Sequence, residues 1–152
     1  MAWKPDLTVA AIIPDQGRYL FVEERIKRRL VLNQPAGHVE DGETLVSAIV
    51  REVAEETARE FVPEYLLGIY LWRDPRSLRT TLRFAFVGTA GKRDATRALD
   101  ACIVATHWLG RDELIAREAR LRSPLVLQCI DDHCSGKRLP IDAVNCSVCA
   151  SS

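Results

Sequence analysis

Apolar and polar positions change their period several times along the chain. Leu7 to Ile13 is an apolar run rich in β-branched residues, and after Pro14-Asp15-Gln16-Gly17 the segment Arg18 to Glu24 sets Tyr19, Phe21 and Glu23 against Leu20 and Val22. These two segments read as the strands of a hairpin. The basic stretch Arg25 to Arg29 leads into a short strand, Leu30-Val31-Leu32, which stops at a loop containing Gly37 and several acids. From Thr44 the period lengthens: Leu45, Ile49 and Val53 recur every fourth residue, Val46 and Val50 widen the stripe, and neither Gly nor Pro intervenes before Pro63. That is the pattern of an amphipathic helix. Tyr65 to Trp72, Thr80 to Val87 and Ile103 to Leu109 read as strands, and Asp112 to Ala119 as a helix. A last helix has Ser123 as N-cap, Pro124 in its first turn and Gly136 past its end. Strands first, one helix in the middle and helices at the end predict an α+β fold, a mixed sheet covered by helices rather than a regular doubly wound repeat.

Composition narrows the function classes. The 152 residues suffice for one domain, and 47% hydrophobic with 28% charged residues lies outside the range of disordered chains. Lys plus Arg and Asp plus Glu each number 21, so no overall positive field favours nucleic acid as a partner. No apolar run approaches the roughly 18 residues of a membrane span, and the first residues show no secretory leader. The expectation is a cytoplasmic protein that meets neither membrane nor nucleic acid. Five cysteines at irregular spacing argue for reduced thiols rather than a disulfide framework.

The chemistry concentrates in Arg51-Glu52-Val53-Ala54-Glu55-Glu56. At about 100° per residue, Glu55 and Glu56 fall about 60° and 40° to either side of Glu52, so three carboxylates share one sector of the helix. Like charges at this spacing repel, which a divalent cation would relieve. Clustered carboxylate oxygens are ligands for Mg²⁺ or Mn²⁺. The alternative is a solvated acidic face. Upstream, Gly37 lets backbone approach a ligand closely, and Glu43 stands at the helix start, where the dipole favours a carboxylate. Arg51 is within reach of Glu55 or Glu43 and would orient carboxylates.

Gly37, five residues, Glu43, seven residues, then Arg51-Glu52-Val53-Ala54-Glu55-Glu56 resembles the signature of the Nudix hydrolases, G-x5-E-x7-R-E-U-x-E-E-x-G-U with U aliphatic. Seven of its nine specified positions match: Gly37, Glu43, Arg51, Glu52, Val53, Glu55 and Glu56. Ala58 and Arg59 replace the closing glycine and aliphatic residue, so either the helix runs on into Arg59-Glu60 or a left-handed turn is carried at some cost. Further segments, among them Asn33 to His38, Trp108-Leu109 and Leu121 to Val126, resemble a bacterial phosphatase subgroup of that family. The resemblance implies an α/β/α sandwich with a mixed β-sheet and a loop-helix-loop signature, spanning residues 1–141, with 142–152 a poorly ordered tail. It implies hydrolysis of a phosphoanhydride bond by metal-activated water, in nucleoside tri- or diphosphates or a thiamine-precursor pyrimidine diphosphate. Carried over residue by residue, Glu52, Glu55 and Glu56 become Mg²⁺ ligands (Mn²⁺ as the substitute), Gly37 a backbone-carbonyl ligand, Arg51 the residue orienting the carboxylates and Glu43 their support. Glu52 is the first choice of general base and Asp100 the alternative. A sugar-nucleotide hydrolase, or a catalytically weak module that senses a nucleotide, would use the same scaffold.

Substrate contacts are read from strands flanking the expected cleft: Arg25, Gln34, Trp72 and Arg83. The resemblance implies a small-molecule diphosphate as partner, and the expected state is a monomer or homodimer. His133, Cys134, Cys146 and Cys149 could supply four zinc ligands, but a single CxxC near the end of the chain argues against zinc.

Overall fold

The computed structural model describes residues 2–147. Strands β1 (Asp6–Ile12), β2 (Pro14–Asp15), β3 (Arg18–Ile26), β4 (Arg29–Asn33) and β5 (Ala36–His38) precede helix α1 (Leu45–Thr57). Strands β6 (Phe61–Arg73), β7 (Thr80–Ala90) and β8 (Ile103–Leu109) follow, then helices α2 (Arg111–Ile115) and α3 (Leu125–Cys134). One sheet has the order β5-β1-β7-β6, with β1 parallel to β7 and antiparallel to β5. In the other, β3 pairs antiparallel with β2, β4 and β8.

The expected hairpin between the first two long strands does not form. Only Pro14–Asp15 folds back on Arg18 and Tyr19, while β1 and β3 enter different sheets. Both strands are buried on both faces, and a strand of that kind needs neighbours and covering layers that a two-stranded ribbon cannot supply. The signature loop likewise holds a strand, β5, too short to show a period. Strand β6 begins four residues earlier than the pattern indicates and runs through Pro63, which sits at a bulge on the sheet's edge, where a missing N–H is tolerated. The helix expected from Asp112 to Ala119 stops at Ile115 and continues as a separate 3₁₀ turn, Glu118–Arg120.

Alternation along the strands divides the core into two layers. Val9, Ala11, Ile13, Leu20, Leu66 and Phe86 pack with Leu45, Ala48, Ile49 and Val53 of α1. Ile12, Phe21, Leu67, Ala85 and Val87 face the other way, onto Leu114 of α2 and Leu125, Val126, Cys129 and Ile130 of α3. The two sheets are thus filled from opposite sides by helices, as the expected sandwich requires. Beyond residue 141, Val144 packs against the α1 layer.

Candidate active site

Helix α1 is fixed at both ends by local chemistry. The Thr44 hydroxyl accepts from the Ser47 N–H at 3.0 Å and the Ser47 hydroxyl accepts from the Thr44 N–H at 3.0 Å, a reciprocal cap. At the other end Ala58 takes the left-handed conformation, φ 55° and ψ 36°, and its N–H reaches the Ala54 carbonyl. Of the two outcomes open to a chain lacking the signature glycine, the strained left-handed turn is the one adopted. Arg59, in the place of an aliphatic residue, lays its guanidinium 5.6 Å from the Trp108 ring centroid and donates to the Gly91 carbonyl.

With α1 seated, the Glu52 carboxylate lies flat against Gly37 in β5, so closely that any Cβ at residue 37 would overlap it. Glycine is required here for close approach, at an ordinary backbone conformation. Arg51 ties the assembly together. It donates to Glu43 through Nε at 2.7 Å, to Glu52 Oε1 at 2.8 Å, to Glu55 Oε2 at 3.2 Å and to the His38 carbonyl at 3.0 Å. The Arg51 hydrogen bond holds the Glu43 carboxyl below its ordinary range, and Glu43 also accepts from the Glu40 N–H. Glu56 is buried and accepts from the Ala36 N–H at 2.8 Å.

The electrostatics of the group are set by burial. Desolvation pushes the Glu56 carboxyl up to about 9, with Glu24, Glu52 and Asp100 adding repulsion. Glu52 is raised for the same first reason, against the pull of Arg51. Asp100 is brought beside these acids because its N–H bonds the Glu55 carbonyl at 3.0 Å. Glu24 was missed by the sequence reading. It belongs to β3, within electrostatic reach of Glu56 on one side and of Arg83 and Arg122 on the other, and burial raises its pKa. The signal was available: in a strand, Glu24 and Ile26 share a face, so an inward Ile26 implies an inward Glu24.

Next to β5 a cavity of about 290 Å³ is lined by Gly37, His38, Glu24, Trp72, Arg83 and Arg122, among others. Of the four substrate-contact residues expected, Trp72 and Arg83 line it. Gln34 stands behind Arg83, accepting from its guanidinium at 3.1 Å and donating to the Val126 carbonyl. Arg25 is exposed and does not line the cavity, since Glu24 and Ile26 take the inward positions of β3 and strand alternation turns Arg25 away.

Among the described residues, no three His, Cys, Asp or Glu side chains already stand grouped as ligands of a metal ion. Glu52, Glu55 and Glu56 instead each give one oxygen to Arg51 or Ala36, and the second oxygen of each accepts no hydrogen bond among the described residues. This leaves Oε2 of Glu52, Oε1 of Glu55 and Oε2 of Glu56, an all-oxygen set suited to a hard cation. At the far end of the chain His133 Nδ1 lies 2.7 Å from the Tyr19 hydroxyl, and Cys134 is 3.5 Å from the same oxygen. Cys149, the fourth residue of the zinc alternative, lies outside the described residues.

Residues 4–128 match the NUDIX domain family. The chain belongs to the Nudix family of hydrolases. Its curated Nudix relatives include Phosphatase NudJ of Escherichia coli strain K12 and Phosphatase NudJ of Shigella boydii, each 36% identical over 142 residues, covering 93% of this chain and 92% of theirs. A solved NUDIX hydrolase from Nitrosomonas europaea superposes with a TM-score of 0.92 at 46% identity, over 95% of this chain and 98% of that one. The Nudix fold extends to more distant chains. The NUDIX domain of Shewanella oneidensis NrtR, solved with ADP ribose, aligns at a TM-score of 0.66 and 20% identity over 89% of this chain and 90% of its own. As for membranes, no helix among the described residues is long and apolar enough to cross one.

Proposed function

We propose that this Nudix hydrolase is a Mg²⁺-dependent pyrophosphohydrolase that cleaves the phosphoanhydride bond of a small-molecule diphosphate. Nucleoside tri- or diphosphates and a thiamine-precursor pyrimidine diphosphate are its substrate classes. The observation that carries the reading is the seating of the Glu52 carboxylate against Gly37 while Arg51 binds Glu43, Glu52 and Glu55 at once. Nothing in helix stability calls for that expense of like charge. An oxygen-binding cation does.

The free oxygens of Glu52, Glu55 and Glu56, with the Gly37 carbonyl, would hold Mg²⁺ or Mn²⁺. Such an ion supplies charge neutralisation on phosphoryl oxygens and a lowered pKa for bound water. The chain's own residues do the rest. Arg51 and Glu43 fix the rotamers of Glu52 and Glu55. Glu52, whose proton affinity burial raises, would be within hydrogen-bond reach of the attacking water and take its proton. Asp100, beside the same acids, is the alternative acceptor, and Asp100→Asn separates the two. Trp72 offers a face on which a base or pyrimidine ring can stack.

The reading is tested by incubating the protein with nucleoside and pyrimidine diphosphates in Mg²⁺ and measuring orthophosphate and pyrophosphate release. Wild type should turn over at least one of them, with Glu55→Gln and Glu56→Gln reduced by about 10² or more. A wild type that turns over nothing that either variant fails to turn over would end the proposal.

A further inference from the structure

The cavity beside the acids ends on a cation that no carboxylate among the described residues binds directly. Arg83 is 5% exposed, yet no carboxylate among the described residues lies within salt-bridge distance of it. Its terminal nitrogens donate to two neutral amides, Gln34 Oε1 at 3.1 Å and Asn33 Oδ1 at 3.3 Å, and its Nε–H has no partner. A guanidinium carries five N–H donors, and a buried charge is costly unless it is paired. Burial accordingly pulls the Arg83 pKa down.

Neighbouring charges do not meet the deficit. Arg79 and Asp6 bind each other at 2.9 Å, and Asp74 is taken up by the Arg76 N–H and the Ser77 hydroxyl. Glu24 is left as the carboxylate facing both Arg83 and Arg122, one acid against two guanidiniums. Strand register then fixes where this excess lies. Thr8 is paired with His38 on one side and with Arg83 on the other, which puts Arg83 two strand spacings, roughly 10 Å, from the residue next to Gly37. A ligand spanning the cavity meets the acids with one part and Arg83 with another.

We propose that this end of the cavity is an anion subsite, in which Arg83 at the floor and Arg122 at the rim bind a phosphate or carboxylate that the substrate carries besides the anhydride it loses. The proposal rests on the hydrolase reading for its substrate, but the subsite itself can be measured without turnover. A guanidinium fork matches either anion in bidentate geometry, and the amides of Gln34 and Asn33 hold the fork in place without neutralising it.

The test uses the whole ¹⁵N-labelled protein in chelator-containing, Mg²⁺-free buffer, titrated separately with inorganic phosphate and with acetate. The readout is the Arg83 Nε–H resonance, identified by its loss in Arg83→Lys. A saturable shift with phosphate assigns a phosphate substituent, one with acetate a carboxylate, and one with both a subsite for either. Affinity should fall about tenfold in Arg122→Gln, and in Arg83→Gln the saturable shift of the backbone amides of the cavity-lining Thr81 and Ser123 should vanish. An Arg83 resonance unmoved by both salts overturns the proposal. So does undiminished affinity in Arg122→Gln, whose exposed position keeps the test open should Arg83→Gln fail to fold. Binding here without hydrolysis of any diphosphate would remove the enzyme reading and leave the anion site. Hydrolysis with a silent Arg83 would do the reverse.

Discussion

Two arginines near the same cavity are kept in opposite ways. Arg51 is about one-fifth exposed and surrounded by carboxylates, and its pKa is driven up by Glu43 first and Glu52 next. Arg83 is buried at the floor of the cavity, hydrogen-bonded to two amides, and its pKa is driven down by desolvation. Arg51 is complete within the chain: remove it and three acids lose their organiser. Arg83 is incomplete: among the described residues it forms no ion pair, and Glu24 is the one carboxylate set against both it and Arg122. Burial and hydrogen bonding alone would class both as structural, and the charge of their partners separates them.

The largest effect should come from the acidic side of this pair. Gly37→Ala forces the Glu52 carboxylate off β5, and overpacking of this kind costs about 1–3 kcal/mol. Because the displaced group is the one Arg51 orients, activity should fall about 100-fold or more. Urea denaturation and a diphosphate hydrolysis assay read the two losses, and a near-normal rate would show that the seating of Glu52 does not matter. The direct comparison comes next. Arg51→Met should destabilise by about 2 kcal/mol, since it strips hydrogen bonds from partly buried acids. Arg83→Met should cost about 1 kcal/mol or less, because lifting an uncompensated charge from the interior offsets the two amide acceptors left behind. Equal losses, or a larger one at Arg83, would erase the distinction.

Ala58→Gly touches neither arginine and sharpens the comparison as a control on α1 itself. Relief of the left-handed alanine should stabilise the fold by about 0.5–1 kcal/mol, seen as a rise in Tm with activity retained. The smallest effect concerns His133, which burial holds below its ordinary pKa of 6.5. A base whose folded pKa is depressed keeps its contribution above about pH 6.5 and loses it as pH falls, because the unfolded chain binds the proton more readily. Because the Glu56 carboxyl, raised to about 9, gains stability over the same range as pH falls, His133 is read as a difference: between pH 7.5 and 5.5 the wild-type denaturant midpoint should fall relative to that of His133→Asn. An identical pH profile in that variant would place the acid sensitivity elsewhere.

Much of this was legible in the sequence, for reasons specific to each element. Helix α1 announced itself because Leu45, Ile49 and Val53 must line one layer of core while Glu52, Glu55 and Glu56 follow the same turn. Strand β8 was readable because it is flanked by polar residues and rich in β-branched ones. The pairing of β1 was not, because an apolar run buried on both faces carries no alternation to say which neighbour it takes. The same ambiguity hid β5, three residues long, inside what looked like a loop. The error at Arg25 was one of parity: a basic run near the site drew attention to charge, when the pleat puts Glu24 inward and its successor outward. Arg83 was visible as a strand arginine, but its pairing with neutral groups rather than a carboxylate depends on Asn33, Gln34 and Cys129 converging from other elements, which only the tertiary structure displays.

Strand β1 has β5 along one edge and β7 along the other, so the signature loop and the buried arginine are measured against a single ladder of main-chain bonds. That ladder acts as a calliper whose jaws cannot be opened by lengthening a loop. For the proposed subsite, the span a ligand has to bridge is therefore set by the reach of the side chain at residue 83, on the β7 side of Thr8, and not by any loop.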